Sequence, residues 1–289
     1  MISCIICSRT PKISNELEKN IAETIGCEYE LVIIDNSKNN HSIFSAYNEG
    51  VRQAKGDILC FMHDDILYRT PNWGWRVEEI LKNENIGCVG VLGGHYVPKD
   101  TSAWWYGQVK SARNLQWDYK KEPLMCEELI FAKDKKEMEV AVVDGLWMCF
   151  PKKMFEHIHW DEETYGNCFH LYDSDICMQI QSINKQVWVL LDSLIEHKSC
   201  GSANAAFYIA MDKFCKKWKD YLPILRGIQS VDSEQLIEIL NLYSRQSLIY
   251  IERYAKTLQK YESILNSRAF KLGNIILKPF SEFKQIFKH

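Results

Sequence analysis

The chain has 289 residues, of which 46% are apolar and 25% are charged, and its formal net charge at pH 7 is −3. This composition is typical of a folded globular protein and excludes a fibrous or wholly disordered chain. The slightly acidic balance disfavours a nucleic-acid binder with a basic surface. No stretch approaches the roughly 18 consecutive apolar residues of a membrane span, and the N-terminal sequence lacks the features of a signal peptide. We therefore expect a soluble, cytoplasmic protein.

The first 100 residues alternate short apolar runs with polar segments whose apolar residues recur at helical spacing. The apolar runs, which predict strands, are residues 2–7, 30–34, 57–62 and 86–92. The predicted helices between them are residues 15–25, 43–54 and 75–83. This alternation predicts an α/β fold with a mostly parallel central sheet flanked by helices. Ligands bind such sheets outside the carboxyl ends of the strands, so the residues directly after each run are candidates for a site.

The rest of the chain predicts more strands and helices and then one long helix. Residues 101–140 are irregular, and their charged segment 133–139 predicts a mobile loop. Strands are predicted at residues 140–143, 147–150 and 187–191, and helices at 152–157 and 173–182. Residues 228–272 contain neither glycine nor proline, and a seam with spacings of four and three predicts one helix. The seam residues are Leu236, Leu240, Tyr243, Ser247, Tyr250, Tyr254, Thr257, Tyr261 and Ile264. We predict a sheet domain of residues 1–220 and a helical extension of residues 221–289.

Acidic residues follow the second and third predicted strands. Asp64 and Asp65 come directly after the third strand, next to His63. Two adjacent carboxylates repel each other unless a cation or hydrogen-bond donors neutralise them, and oxygen ligands suit Mg²⁺ or Mn²⁺. The pair therefore predicts a divalent-metal and nucleotide site, with a solvated turn as the alternative. Asp35, after the second strand, is suited to bind a base or a ribose, or closes a local turn.

Other polar residues stand at comparable positions. Asn48 and Arg52 are four residues apart and so share one face of a predicted helix. Asp173 and Asp175 lie at the start of another helix, where a capping role explains one aspartate more naturally than two. His197 follows the strand predicted at residues 187–191, and a histidine there is either a ligand or a structural residue.

Taken in chain order, these residues resemble a family-2 glycosyltransferase, an inverting enzyme of the GT-A fold, of the type that builds bacterial surface glycans. The resemblance covers residues 1 to about 220 and depends on the joint order of several short motifs. The motifs are Ser8-Arg9, Asp35-Asn36-Ser37, Ala46-x-Asn48-x-Gly50, Gly56-Asp57-x4-Met62-x-Asp64-Asp65, Asp144-Gly145, Asp173-x-Asp175 and His197.

The resemblance implies roles for the acidic residues. It implies that Asp65 binds a metal ion, Mn²⁺ or Mg²⁺, with His197 as a second ligand. It also implies that Asp64 contacts the ribose of a nucleotide sugar and that Asp35 holds the base. His63 occupies the first acidic position of the family's D-x-D motif, which leaves its role open.

The resemblance also implies a catalytic base in the Asp173-x-Asp175 motif. The family has a glutamate where Tyr172 stands, so Asp173 is the expected base and Asp175 the alternative. Donor-binding residues are expected to include Ser8, Arg9, Asn48 and Arg52 as well.

Three tryptophans and one glycine complete the predicted site. Trp104, Trp105 and Trp147 are expected to stack on the apolar faces of sugars, with core packing as the alternative. Gly145 is expected on the acceptor side.

We therefore predict an inverting, metal-dependent glycosyltransferase that moves a sugar from a nucleotide-sugar donor to a hydroxyl of a glycan or of a lipid-linked acceptor. A nucleotidyltransferase is one alternative, but it would need a glycine-rich loop after the first strand, and Ser8-Arg9-Thr10-Pro11 is not one. A non-catalytic GT-A-like scaffold that oligomerises through the long helix is the other alternative.

The C-terminal segment, residues 270–289, contains four lysines and one glutamate. Phe280, Phe283 and Phe287 recur at helical spacing, opposite Lys284 and Lys288. A basic amphipathic tail suits the inner face of an anionic membrane, and docking on the protein's own core or on a second copy is the equal alternative. The expected partners are thus a nucleotide-sugar donor, a glycan or lipid-linked acceptor, the membrane surface and a second copy of the chain, but no nucleic acid.

Overall fold

The computed structural model describes residues 1–105, 109–117, 122–199, 204–267 and 272. The chain forms two compact units, Met1–Gln235 and Leu236–His289. The first unit extends past the predicted domain end at residue 220, because a strand at Ile224–Leu225 pairs with Tyr96–Val97. The basic tail of residues 270–289 lies outside the described residues apart from Leu272, so its role stays a prediction.

The first unit is built from short strands and six helices, as far as the described residues go. The strands are β1 (Ile2–Ser8), β2 (Tyr29–Asp35), β3 (Ile58–Met62), β4 (Ile66–Tyr68), β5 (Ile86–Gly90), β6 (Leu92–Gly94), β7 (Tyr96–Val97), β8 (Lys110–Trp117), β9 (Pro123–Glu128), β10 (Glu137–Val140), β11 (Val142–Val143), β12 (Trp147–Pro151), β13 (Gln186–Leu190), β14 (Ile195–His197) and β15 (Ile224–Leu225). The helices are α1 (Asn15–Thr24), α2 (Ile43–Gln53), α3 (Trp73–Ile80), α4 (Glu162–Tyr165), α5 (Tyr172–Ser182) and α6 (Ala205–Lys217).

The central sheet has the strand order β10-β13-β5-β12-β3-β1-β2. Strand β1 runs parallel to both β2 and β3, and β13 runs parallel to β5. Strand β12 is antiparallel to β3 and β5, and β10 is antiparallel to β13, so five of the seven strands share one direction. Helix α2 packs on β1 and β2, and α5 packs on β13. The predicted α/β fold with a mostly parallel central sheet is confirmed.

A second sheet, of order β11-β6-β8-β14-β4 with β9 beside β8, meets the central sheet near residue 63. The chain leaves β3 of the central sheet at Met62 and enters β4 of the second sheet at Ile66. Strand β14 pairs antiparallel with β4 and places His197 opposite Ile66. The junction of the two sheets therefore brings His197 next to the segment that contains Asp64 and Asp65.

Two local predictions need correction. The predicted mobile loop at residues 133–139 ends in strand β10, where Met138 and Val140 are buried and alternate with the half-buried Glu137 and Glu139. The segment is rich in charged residues, but its buried and half-buried side chains alternate with a period of two, which is typical of an edge strand. The helix predicted at residues 152–157 is a short 3₁₀ helix, Lys152–Glu156.

One long helix, α7 (Ser233–Asn266), begins at the end of the first unit and continues in the second, which confirms the predicted C-terminal helical extension. The seam residues Leu240, Tyr254 and Tyr261 are 55%, 67% and 58% exposed. Within the described residues, no helix is long and apolar enough to cross a bilayer.

Candidate active site

Three residues at the junction of the two sheets form a cluster suited to a metal ion. His63 and Asp65 lie between β3 and β4, and His197 ends β14. Asp65 Oδ1 is 3.5 Å from His197 Nε2 and 4.0 Å from His63 Nδ1, and these two nitrogens are 3.5 Å apart. Two ligands of one ion lie at most about 4.2 Å apart, twice the ligand distance of about 2.1 Å. One divalent ion therefore fits all three atoms.

The protonation states of the cluster also suit a metal ion. Burial alone raises the pKa of Asp65, but the hydrogen bond and the charge of His197 lower it well below its usual range. Burial and the neighbouring His197 lower the pKa of His63, so its ring is neutral at pH 7. An ionised carboxylate and a neutral imidazole are the forms that bind metals.

Arg9 neutralises the pair of adjacent aspartates. Its backbone N–H and its Nε donate to the carboxylate of Asp64 at 3.0 Å each, and its Nη2 lies 3.1 Å from Asp65 Oδ2. The hydrogen bond to Asp64 raises the pKa of the Arg9 guanidinium. The two oxygens of Asp65 thus face different partners, because Oδ2 faces Arg9 and Oδ1 faces the two histidines.

Asp173 lies in the first turn of α5, beside Asp144 and Gly145. The backbone N–H groups of Gly145 and Ser174 donate to its carboxylate at 3.1 and 2.7 Å. Burial and repulsion by Asp144 nevertheless raise the pKa of Asp173 to about 7. A Cβ at position 145 would lie 2.2 Å from the hydroxyl oxygen of Tyr172, so this position requires glycine. An aspartate with a pKa near neutrality is suited to act as a general base.

One cavity of about 470 Å³ joins these groups. His63 and His197 line it on one side, and Asp144 and Asp173 line another part. Its apolar wall consists of aromatic and aliphatic side chains from several segments, namely Leu92, Ala103, Trp104, Trp105, Phe169, Leu171, Tyr172 and Phe207. Two of the candidate metal ligands, His63 and His197, therefore share one cavity with the expected base Asp173, although His63 and Asp173 are more than 100 residues apart in the chain.

Asp175, the alternative base, is fully buried in a separate polar cluster. Its carboxylate accepts hydrogen bonds from Tyr165, Gln179 and Trp218 at 2.8–3.0 Å, and it pairs with Lys217 at 2.8 Å. These four donors occupy both oxygens and leave none for an acceptor hydroxyl. The geometry thus favours a structural role for Asp175.

We expect Asp175→Asn to destabilise the fold by about 3 kcal/mol, because breaking a buried ion pair leaves an uncompensated charge. Urea denaturation measures this loss. Transfer activity of the folded fraction should stay near the wild-type value. Wild-type stability combined with lost transfer would instead identify Asp175 as the base.

The expected donor-binding residues fall into two groups. Ser8, Arg9, Asp35 and Asp64 lie at the carboxyl ends of the strands, whereas Asn48 and Arg52 lie on helix α2. Ser8 pairs in register with Asp35, so both stand at the rim where Arg9 and Asp64 lie. The backbone N–H of Ser37 donates to Asp35 at 2.9 Å and lowers the pKa of its exposed carboxylate.

Asn48 and Arg52 make contacts of another kind. Asn48 bonds both backbone groups of Trp160, donating at 2.8 Å and accepting at 3.2 Å. Arg52 pairs with Glu49 on the exposed surface of α2. The first contact fixes the segment around Trp160, and the second is a surface ion pair.

The three tryptophans also have different environments. The indole N–H of Trp104 donates to Asp144, and the ring of Trp105 stacks on Phe207 with centroids 5.8 Å apart. Both line the cavity. Trp147 is completely buried against Trp73 and does not reach the cavity, which agrees with the core-packing alternative.

Sequence reasoning did not select four residues that the structure brings to the site. Gln116 contacts His197, Tyr172 contacts His63, and Phe169 and Phe207 form part of the aromatic wall. Phe169 lies four residues before Asp173. This closeness to a predicted catalytic residue is a sequence signal that could have identified it. The sequence around Gln116 and Phe207 has no comparable signal.

Comparisons with known proteins identify a family and two similar solved structures. Residues 1–219 match the family described as "Glycosyltransferase like family". None of the curated proteins compared matches the sequence. Among solved structures, the chain is similar to GalNAc-T7, crystallised with UDP, GalNAc and Mn²⁺, at 12% identity and a TM-score of 0.45, over 68% of this chain and 43% of that one. It is also similar to A197 from STIV, at 12% identity and a TM-score of 0.40, over 80% and 96% of the two chains.

The family match covers residues 1–219, which is most of the chain, and it therefore shows the family. The chain is a member of the glycosyltransferase-like family. This membership confirms the predicted family and agrees with the predicted transferase class.

Proposed function

We propose that the protein is an inverting, metal-dependent glycosyltransferase that transfers a sugar from a nucleotide-sugar donor to a hydroxyl group of a glycan or lipid-linked acceptor, with the activity in residues 1–220. The main support is one juxtaposition. His63 and His197, which form the ligand cluster together with Asp65, line the same cavity as Asp173, whose pKa is about 7.

The donor is proposed to lie along the strand ends. Asp35 would bind the base, Asp64 the ribose, and Ser8 and Arg9 the adjoining parts of the nucleotide. A divalent ion held by His63, Asp65 and His197 would neutralise the charge that develops on the departing diphosphate. The mixed set of imidazole and carboxylate ligands fits Mn²⁺ as well as Mg²⁺.

The acceptor is proposed to enter beside Asp173. Its hydroxyl oxygen would attack the anomeric carbon from the face opposite the diphosphate, which breaks the bond to the diphosphate and inverts the anomeric configuration. Asp173 would take the hydroxyl proton. Trp104, Trp105 and Phe169 line the same cavity as this carboxylate and would stack on the apolar face of a sugar ring.

A thermal-shift experiment tests the donor class. In the presence of Mn²⁺, we expect one member of a panel of UDP-, GDP- and dTDP-sugars to raise the melting temperature by several degrees. A ligand at 100 times its Kd stabilises a protein by about 2.7 kcal/mol. The control is the same panel with EDTA.

Two other results would contradict the proposal. Stabilisation by nucleoside triphosphates alone would favour a nucleotidyltransferase. Donor binding without transfer to any member of an acceptor panel, together with self-association of the long helix, would favour a scaffold.

A further inference from the structure

We propose that Asp144 is a positioning residue that holds Trp104 as a fixed stacking platform for an uncharged pyranose ring in the cavity. The two residues come from different segments, because Asp144 follows β11 and Trp104 lies between β7 and β8. This inference rests on the proposed function, which makes the ligand of the cavity a sugar. It adds the residue that sets the platform and the class of ring that the platform accepts.

The carboxylate of Asp144 has a separate partner on each oxygen. Its Oδ1 accepts a hydrogen bond from the backbone N–H of Leu146 at 2.8 Å, which fixes the side chain against its own turn. Its Oδ2 accepts a hydrogen bond from the indole N–H of Trp104. An indole N–H only donates, and a bond to a carboxylate is stronger than a bond to a neutral acceptor. The second bond therefore fixes one edge of the Trp104 ring.

The turn that contains Asp144 also holds the expected base. The backbone N–H of Gly145 donates to Asp173 Oδ2 at 3.1 Å. The next N–H along the chain is the one that Asp144 accepts. The turn is tied to β6 as well, because the backbone N–H of Asp144 donates to the carbonyl of Leu92 at 2.8 Å. Two consecutive N–H groups thus set the position of the base relative to the residue that holds the platform.

Lys110 covers one face of the Trp104 ring. Its ammonium nitrogen lies 5.5 Å from the ring centroid, within the range of a cation–π interaction. The lysine is itself buried and pairs with Glu128 at 2.7 Å. The backbone of Trp104 is constrained too, because a Cβ at Gly94, the register partner of Lys110, would collide with the Trp104 carbonyl oxygen. A sugar in the cavity would therefore stack on the opposite face of a ring that is already held in place.

The platform and the carboxylates together select the kind of ring. An aromatic face stacks on the C–H groups of a pyranose, and Trp104 lines the cavity. Asp144 and Asp173 line the same cavity, and a carboxylate on the ligand would be repelled by them. The cavity thus favours an uncharged pyranoside over the corresponding uronate. A platform that is fixed beforehand also loses little side-chain freedom when the ligand binds, which increases the affinity.

The test measures the binding of simple sugars to the full chain without donor. Turnover is avoided because the charge of Asp144 also affects the pKa of Asp173, so that a change in rate would combine two effects. The probes are the methyl glycosides of neutral hexoses and the methyl glycoside of glucuronic acid. Two-dimensional NMR of isotope-labelled indole N–H groups follows Trp104, whose signal is the one missing in Trp104→Phe. We expect a neutral glycoside to move this signal and the glucuronide to bind about tenfold more weakly.

Asp144→Asn is expected to move the Trp104 indole signal upfield in the free protein. Asparagine has one oxygen for two donors, the Leu146 N–H and the indole, so one of them loses its acceptor. We expect this variant to weaken glycoside binding about tenfold, a usual effect of losing a hydrogen bond to a charged group. Ligand-observed NMR measures the affinity.

Trp104→Phe keeps an aromatic ring but has no N–H to donate, and it should weaken glycoside binding by a similar factor. Because both substitutions remove the same hydrogen bond, the double variant should bind little more weakly than either single variant. A purely structural effect of Asp144 on the turn would instead add to the effect of Trp104→Phe. Ligand-observed NMR covers both variants, which lack the Trp104 signal.

Trp75→Phe is the matched control. Trp75 is 57% exposed on α3 and lines a different cavity, so this variant should bind glycosides like wild type. Lys110→Met is a second test variant, which removes the ammonium group from one face of Trp104 and keeps an aliphatic chain there. We expect it to weaken glycoside binding as well.

Three results would overturn the proposal. They are an unchanged Trp104 indole signal in folded Asp144→Asn, additive effects in the double variant, and glucuronide binding as tight as that of the neutral glycosides. If the glycosides bind as expected but no donor binds and no sugar is transferred, the proposed function fails and the platform stands. If transfer occurs but Asp144→Asn leaves glycoside binding unchanged, this inference alone fails.

Discussion

Asp173→Asn is expected to reduce sugar transfer by about a thousandfold or more. General-base catalysis contributes typically about 10²–10⁴-fold, and asparagine cannot accept the proton of the acceptor hydroxyl. Asparagine keeps an oxygen for the N–H groups of Gly145 and Ser174, so the local structure should be preserved. Single-turnover transfer, measured with the donor identified by thermal shift, checks this expectation.

The Asp173 variant should retain Mn²⁺-dependent donor binding. A suitable control is Asp212→Asn, which replaces an exposed aspartate paired with Lys216 on α6 and should transfer sugar like wild type. Wild-type turnover by Asp173→Asn would exclude Asp173 as the base.

The raised pKa of Asp173 has a consequence for pH dependence. The base acts when ionised, so kcat/KM of the wild type should fall as the pH drops below about 7. The stability of the fold changes with pH in the opposite direction, because it increases as the pH falls. The folded protein keeps a proton that the unfolded chain releases above pH 4, so stability decreases as the pH rises from about 4 to about 7.

Asp173→Asn lacks this titration. Its melting temperature should therefore match that of wild type near pH 4 and exceed it above pH 7. A variant that is more stable but inactive would separate the catalytic role of the carboxylate from any role in folding.

Asp65→Ala is expected to remove the metal-dependent part of donor binding and to slow transfer by about a thousandfold. Charge stabilisation by a metal is worth several kcal/mol, and each 1.4 kcal/mol is a factor of ten. Asp65 is the single carboxylate among the described ligand atoms, while Arg9 keeps its contacts to Asp64 in this variant. Calorimetric titration of the donor with Mn²⁺ and with EDTA measures the effect.

Asp57→Ala is the matched control for Asp65, because Asp57 stands just before β3 and Asp65 follows its other end. The Asp57 side chain is 95% exposed and close to the N-terminus of the chain. Its removal should leave donor binding intact. Equal Mn²⁺-dependent donor affinity in Asp65→Ala and wild type would exclude the metal site.

Much of the fold could be predicted because strands and helices have local periods. Strand β1 is mostly apolar, all five residues of β3 are apolar, and the two acids that follow β3 are adjacent in the chain. Ligands bind at the carboxyl ends of parallel strands, and this rule alone predicts a site at Asp64 and Asp65 without information on tertiary contacts. The mixed strand directions were not predicted, because the antiparallel entry of β12 between β3 and β5 depends on long-range pairing.

The partners of the site residues could not be predicted in the same way. Asp173 and Asp175 are two residues apart on one helix, yet one opens into the cavity and the other is enclosed by Lys217 and Trp218. Asn48 has a side chain suited to bind a ligand, but both of its polar atoms form hydrogen bonds with the backbone of Trp160.

The sequence by itself determined the α/β fold, the long C-terminal helix and the edge of the sheet where acids gather, because each depends on residues close together in the chain. Only the tertiary structure decided that His63 meets His197 across 134 positions and that Asp144 raises the pKa of Asp173. The reason is that these contacts depend on the pairing of β4 with β14 and on the packing of α5. Those are interactions between distant segments, which no local period encodes.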